Sequence, residues 1–183
     1  ENMQMSGDWQ AAGKRLAAAA RQAEAAGAEF LLICTNTMHK VAPQIEDAIS
    51  IPLLHIADAT ADRIKAQGMQ TIGLLGTRFT MEQDFYAGRL QEKHGLEVII
   101  PPPEEREIVH RVIYDELVLG IVREASRRQF LEIMENLQSR GAQGIIEGCT
   151  EIVMLVHQEH TPIPLFDTTA IHAQSAVDHA LDH

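Results

Sequence analysis

The chain has 183 residues and 45% apolar content, enough to bury a core as one compact unit or two small lobes. Its 15 Lys and Arg against 26 Asp and Glu give a formal net charge of -11. That surface disfavours nucleic-acid phosphates and anionic membranes, which leaves a small molecule as the expected partner. The longest apolar runs reach only strand length, short of the roughly 20 residues of a membrane span, and no basic, apolar leader opens the sequence. The chain begins at Glu1 in a polar phrase, "ENMQMSGDW", and the expectation is that an N-terminal portion precedes it. The two cysteines, Cys34 and Cys149, lie far apart with no Cys-x-x-Cys spacing, so reduced thiols in a cytoplasmic protein are expected.

Residues 8–26 are alanine-rich and stop at Gly27, which predicts a helix, and 29–34 read as a strand. A helix at 41–49, a strand at 52–55 and a helix at 58–67 follow. Next come a strand at 71–75, a helix at 81–94 ending at Gly95, and a strand at 96–100. After "PPP" two helices are predicted, at 104–119 and 122–139, then strands at 143–147 and 163–166 and a closing helix at 169–181. This alternation means βαβ units and a largely parallel sheet.

The chain also repeats itself. "GAEFLLICT" (27–35) is echoed by "GAQGIIEGCT" (141–150), and each copy runs on to "IPL" and another helix. The spacing is 17 residues from Cys34 to Ile51 and 14 from Cys149 to Ile163. The expected fold is α/β: two Rossmann-like or flavodoxin-like lobes with parallel sheets, related by a pseudo-twofold axis. The first lobe takes 1–56 and 168–183, the second 57–167, with the active site in the cleft between them. Each lobe then brings one cysteine to the carboxyl end of a strand, where open α/β sheets bind ligands.

One isolated cysteine is most simply a small core hydrophobe. Two cysteines at matching points of a repeat, each followed by Thr, ask for a chemistry that uses both. A thiolate that takes a proton from one face of a carbon, with a thiol that delivers one to the other face, inverts that centre. At this point the residues resemble the cofactor-independent aspartate/glutamate racemases. One signature of that family looks like Leu32-Ile33-Cys34-Thr35-Asn36-Thr37-Met38-His39, with Thr35 as an extra residue, and the other like Ile145-Ile146-Glu147-Gly148-Cys149-Thr150-Glu151-Ile152. Both stand in the family's order, and "CTNTMHK" with "GCTEI" is most similar to the broad-specificity aspartate racemase branch.

The resemblance implies that Cys34 and Cys149 are the acid/base thiols, that Thr35, Asn36 and Thr37 form a substrate-binding turn, and that Thr150 and Glu151 flank the second thiol. It also implies a homodimer, no cofactor and no metal. Family members open with a βαβ unit bearing a Gly-rich, Ser-containing substrate loop, which is the portion expected before Glu1. Val153 stands where the family usually has a small, polar or Pro residue.

Other residues carry two readings each. In "LLGTRFTMEQDFY" (74–86), amides at a helix start and the hydroxyls of Thr77 and Thr80 suit a carboxylate, as the family's Gly-Thr-x-x-Thr turn does; Thr80 with Gln83 also reads as a capping box. His110 and Arg111 offer a cation for a second carboxylate, although a solvated helix face explains Arg111 as well. Glu151 would raise the pKa of Cys149 or orient a substrate ammonium. His157 with His160, and His179 with His183, lack the third ligand of a metal site and read as surface. None of the four lysines, Lys14, Lys40, Lys65 and Lys93, sits in a convincing pyridoxal-phosphate pocket.

The reading is thus an isomerase that racemises aspartate, glutamate or a related amino acid. Its rivals are another reaction of the same superfamily (hydantoin racemase, maleate isomerase or decarboxylase), a hydrolase pairing Cys34 with His39, and a non-catalytic amino-acid-binding protein.

Overall fold

The computed structural model describes residues 2–182; Glu1 and His183, the latter paired with His179 in the sequence reading, lie outside the described residues. A short helix, α1 (Asn2–Met5), precedes α2 (Trp9–Ala25), whose first turn is capped by Asp8 accepting from the Ala11 amide at 3.0 Å. β1 (Leu31–Leu32) pairs in parallel with β2 (Leu53–Leu54) in a two-stranded sheet. The predicted strand 29–34 is trimmed to two residues because its ladder extends only as far as β2 does. Where one helix was expected at 41–49, a 3-10 helix (Thr37–Val41) leads into α3 (Ala42–Glu46), with Pro43 in the first turn, where its missing N–H costs nothing. α4 (Ile56–Ala66) starts on His55, whose Nδ1 accepts from the Ala57 amide at 3.2 Å.

The larger sheet is built from β3 (Thr71–Gly76), β4 (Glu97–Ile99), β5 (Ile145–Gly148) and β6 (Leu165–Asp167), all parallel, in the order β4-β3-β5-β6. α5 (Arg78–Glu82) and α6 (Asp84–His94) separate β3 from β4; the expected helix 81–94 breaks at Gln83, whose backbone is extended. α7 (Pro103–Asp115) stops earlier than predicted, and a 3-10 turn (Leu117–Leu119) ending on left-handed Gly120 connects it to α8 (Glu124–Ser139). Two further 3-10 turns, Ile152–Met154 and Gln158–His160, lead from β5 to β6, and α9 (Thr168–Leu181) follows with Asp167 as its cap. Among the described residues no helix is long and apolar enough to cross a membrane.

Both faces of the four-stranded sheet are covered, which is why its strands read as continuous apolar runs. On one face Leu75 and Ile145 pack with Val109, Ile113, Phe130 and Met134 of α7 and α8. On the other, Ile72, Leu74, Ile146 and Phe166 pack with Ile64, Tyr86 and Leu90 of α4 and α6. From β3 the chain moves outward to β4 and then returns to the opposite side as β5, so the strand order reverses between β3 and β5. The crevice outside the carboxyl ends of those two strands is where an open α/β sheet receives a ligand. Gly76 and Gly148 lie opposite each other there; a Cβ on Gly148 would come within 2.8 Å of the Leu75 carbonyl, so only glycine permits this approach.

Glu147 is the exception in the core. It is 3% exposed, its Oε1 has no partner, and Asp167 is its register neighbour on β6. Burial above all, then the Asp167 charge, pushes its pKa up to about 8. The unfolded chain ionises this carboxyl near its ordinary value of 4.5, so stability contributed by the protonated form declines as pH rises from there through about 8. Glu147→Gln removes that decline: thermal melts of the variant should show a flatter pH dependence than the native chain above pH 5, with a gain of about 1–3 kcal/mol by pH 8.

Candidate active site

The sequence places a polar turn after each cysteine-bearing strand, and the fold brings the two turns together. A cavity of about 250 Å³ lies at the reversal point of the sheet, lined by Cys34, Thr35, Asn36 and Thr37 from the turn after β1 and by Gly148, Cys149, Thr150 and Glu151 at the end of β5. Thr77 joins it from the end of β3, Ile113 and Tyr114 from α7, Val118 from the turn beyond, and Gln4 from α1. Cys34 is exposed and Cys149 is 9% exposed; both are free thiols.

Three threonines link the two sheets. The Thr37 hydroxyl is 3.2 Å from that of Thr77 and 3.3 Å from that of Thr80, and Thr77 and Thr80 are 3.3 Å apart. With Thr80 as their common partner behind, the two cavity-lining hydroxyls, Thr37 and Thr77, can turn their protons outward together onto one anionic acceptor. Thr80 is fully buried behind the cavity-lining Thr77, so it supports the cradle from below. The expected capping box does not form: Thr80 lies inside α5, and Gln83 instead accepts from Lys40 Nζ at 2.6 Å.

Asn36 is 3% exposed, and its Nδ2 donates to Thr168 Oγ1 at 3.0 Å. Thr168 donates in turn to the Glu147 carbonyl at 2.9 Å, so its oxygen is left to accept, which fixes the orientation of the Asn36 amide. Oδ1 is thereby a buried acceptor without a protein partner.

Around the second thiol, Glu151 is the organising charge. Its Oε2 accepts from Cys149 Sγ at 2.9 Å and from the Thr150 hydroxyl at 2.8 Å. Burial first, then the hydrogen bond to this carboxylate and its charge, push the Cys149 pKa far above the ordinary thiol value, so the thiol is held protonated.

The helix around His110 gives a different arrangement from the one expected. The His110 Nδ1 accepts from the Arg78 amide at 3.2 Å, which occupies the first amide of α5 and leaves His110 a neutral acceptor. Its pKa is lowered by burial and then by Arg78. Arg111 is exposed and does not line the cavity; the face of α7 that does carries Ile113 and Tyr114. Among the described lining residues none is basic, and the charged one is Glu151.

His39 does not pair with Cys34 as a hydrolase would require. Its Nδ1 bonds the Thr35 carbonyl at 2.8 Å and its Nε2 accepts from the Ile56 amide at 3.2 Å. The motif "CTNTMH" singled out this histidine, but not this bonding, because Ile56 lies on another element. His157 and His160 cap their own 3-10 turn, the His160 Nδ1 accepting from the His157 amide at 2.9 Å, and His179 packs edge-on against Phe30.

Replacing Glu151 by Gln should lower the pH at which Cys149 becomes alkylatable by iodoacetamide, by about one unit, a roughly 10-fold rate gain at fixed pH. Peptide mapping by mass spectrometry separates the two thiols, and the rate at Cys34 should not change.

Residues 2–176 match the family model described as Asp/Glu/hydantoin racemase. The chain is 26% identical over 157 residues to the broad specificity amino-acid racemase RacX of Bacillus subtilis (strain 168), a match that takes in 84% of this chain and 66% of that relative, just under two thirds of its length. Its structure is similar to the "putative Asp/Glu racemase" of Yersinia pestis, with a TM-score of 0.94 and 57% identity over 99% of this chain and 79% of that one. It is also similar to an aspartate racemase homologue from Pyrococcus horikoshii OT3, with a TM-score of 0.86 and 34% identity over 97% and 78% of the two chains. The α/β architecture with parallel sheets is theirs, and the chain belongs to the Asp/Glu/hydantoin racemase family.

Proposed function

We propose that the chain is a racemase that inverts the α-carbon of aspartate, glutamate or a related amino acid by two-base proton transfer between Cys34 and Cys149, without a cofactor. The observation that carries this reading is that both thiols line one small cavity together with Asn36, Thr37 and Thr77. In one direction the Cys34 thiolate takes the α-proton: the Cα–H bond breaks, an S–H bond forms, and the electron pair moves onto carbon and its carboxylate. The protonated Cys149 then delivers its proton to the opposite face and becomes the thiolate. That thiolate lies beside the Glu151 carboxylate, whose repulsion makes it a strong base for the reverse reaction.

The hydroxyls of Thr37 and Thr77 are the donors for the α-carboxylate, where negative charge grows as the proton leaves, and Thr80 behind them holds both in place. Glu151 is the acceptor for the α-ammonium. The side chain of the substrate meets Ile113, Tyr114, Val118 and Gln4. Neutral amino acids belong in the substrate panel beside aspartate and glutamate, because the chain is similar to a broad specificity amino-acid racemase.

Incubation in deuterated water with L-Asp, L-Glu and neutral L-amino acids should label the α-carbon and yield the D-isomer, read by mass spectrometry and chiral chromatography. Cys34→Ala and Cys149→Ala should each lower the rate by at least about 1000-fold. Full activity in Cys149→Ala sinks the two-base mechanism. Full activity in Cys34→Ala sinks it equally.

A further inference from the structure

The turn bearing Cys34 and Asn36 is fastened from behind by buried imidazoles. His39, 2% exposed, is bonded through both ring nitrogens, to the Thr35 carbonyl at 2.8 Å and the Ile56 amide at 3.2 Å. A carbonyl can only accept and a backbone amide can only donate, so Nδ1 carries the proton, Nε2 carries the lone pair, and the ring is neutral. The His55 ring lies 4.3 Å from that of His39, centroid to centroid, and the His172 ring 5.9 Å away. His55 caps α4 through Nδ1, and His172 of α9 donates Nε2–H to the Leu54 carbonyl of β2 at 2.8 Å. The cluster thus joins the ends of β1 and β2 to the start of α4 and to α9.

We infer that His39 is a positioning residue for the reaction proposed above: its Nδ1–H holds the Thr35 carbonyl inward, against the anchor at Ile56, so that Cys34 and Asn36 on either side of Thr35 keep their aim at the cavity. The inference rests on the racemase reading. Within the turn, the Thr35 amide donates to the Ile33 carbonyl at 2.8 Å and the His39 amide to the Asn36 carbonyl at 3.1 Å. Both are bonds inside the same loop. The imidazole is the strut that ties the Thr35 carbonyl to a different element.

The surroundings keep the strut uncharged. A second proton on His39 has to sit on Nε2, where the Ile56 N–H already points. The rings nearest it, His55 and His172, become cationic on protonation and Arg89 of α6 is cationic, while Asp84 and Glu92 line the cavity that His39 shares with Arg89 and Lys93. Asp58 of α4 is committed to Arg89, Lys93 and His94, and Lys40 to Gln83 and the Trp9 ring. Burial first, with the charges of His172 and Arg89 against it as well, holds the His39 pKa down to about 4.

Two variants separate positioning from packing. An Asn side chain can present an N–H where Nδ1 stood, whereas Gln reaches the Nε2 position and keeps only the acceptor for Ile56. His39→Asn should keep kcat for α-proton exchange within about 3-fold, and His39→Gln should lose about 100-fold in kcat with KM nearly unchanged. Independently of turnover, the alkylation rate of the exposed Cys34 should change about 3-fold or more in His39→Gln and stay at the native value in His39→Asn. Equal losses in both variants, of fold or of activity, overturn the inference, as does native kcat in His39→Gln. If the native chain exchanges no α-proton, the racemase reading fails by itself. The alkylation arm then decides, and unchanged Cys34 reactivity in His39→Gln overturns the positioning role.

Discussion

The pairing of β3 with β5 is the constraint on which the candidate site depends. It is a parallel register that ends with Gly76 opposite Gly148, backbone against backbone, with no room for a side chain on either. Since the next residues are Thr77 and Cys149, this contact brings both into the lining of one cavity. The reversal of strand order at the same place opens the crevice into which both groups face. A side chain at either glycine would push the two strand ends apart, and the cavity with them.

The smaller sheet is tied to that frame by polar bonds between elements far apart in sequence. Thr37 reaches Thr77 and Thr80, and Asn36 reaches Thr168 and through it the Glu147 carbonyl. Most of these groups are buried and find their partners within the protein, Asn36 Oδ1 being the unpartnered atom among them. Buried polar networks of this kind specify one arrangement, because a shift of either sheet leaves several donors and acceptors unmet at once. The histidine cluster serves the same end from the far side of the turn.

Electrostatics then divides the two thiols. Cys34 faces solvent, whereas Cys149 is buried against a carboxylate that favours its protonated form. The neutral imidazoles and the protonated Glu147 show the same physics in the scaffold: where burial is deep and no opposite charge is near, the group gives up its charge.

By itself the sequence determined the alternation of helices and parallel strands, the strand ends that carry Cys34 and Cys149, and the residue types in the turns after them. These follow from apolar runs, Gly punctuation and two short motifs, all of which act over a few residues. Most element centres were legible, while boundaries such as the break at Gln83 and the end of α7 at Asp115 were not, since they answer to packing. Only the tertiary structure decided that Thr80 is buried in a hydroxyl triangle, that His110 caps α5, that Arg111 faces solvent, and that His39 braces Thr35 through Ile56. Thr80 and Arg111 each sit on a helix whose rotation about its axis is set by the apolar side chains of the sheet below it. No local pattern records that rotation, so the face a polar residue presents to the cavity is known only once the core is packed.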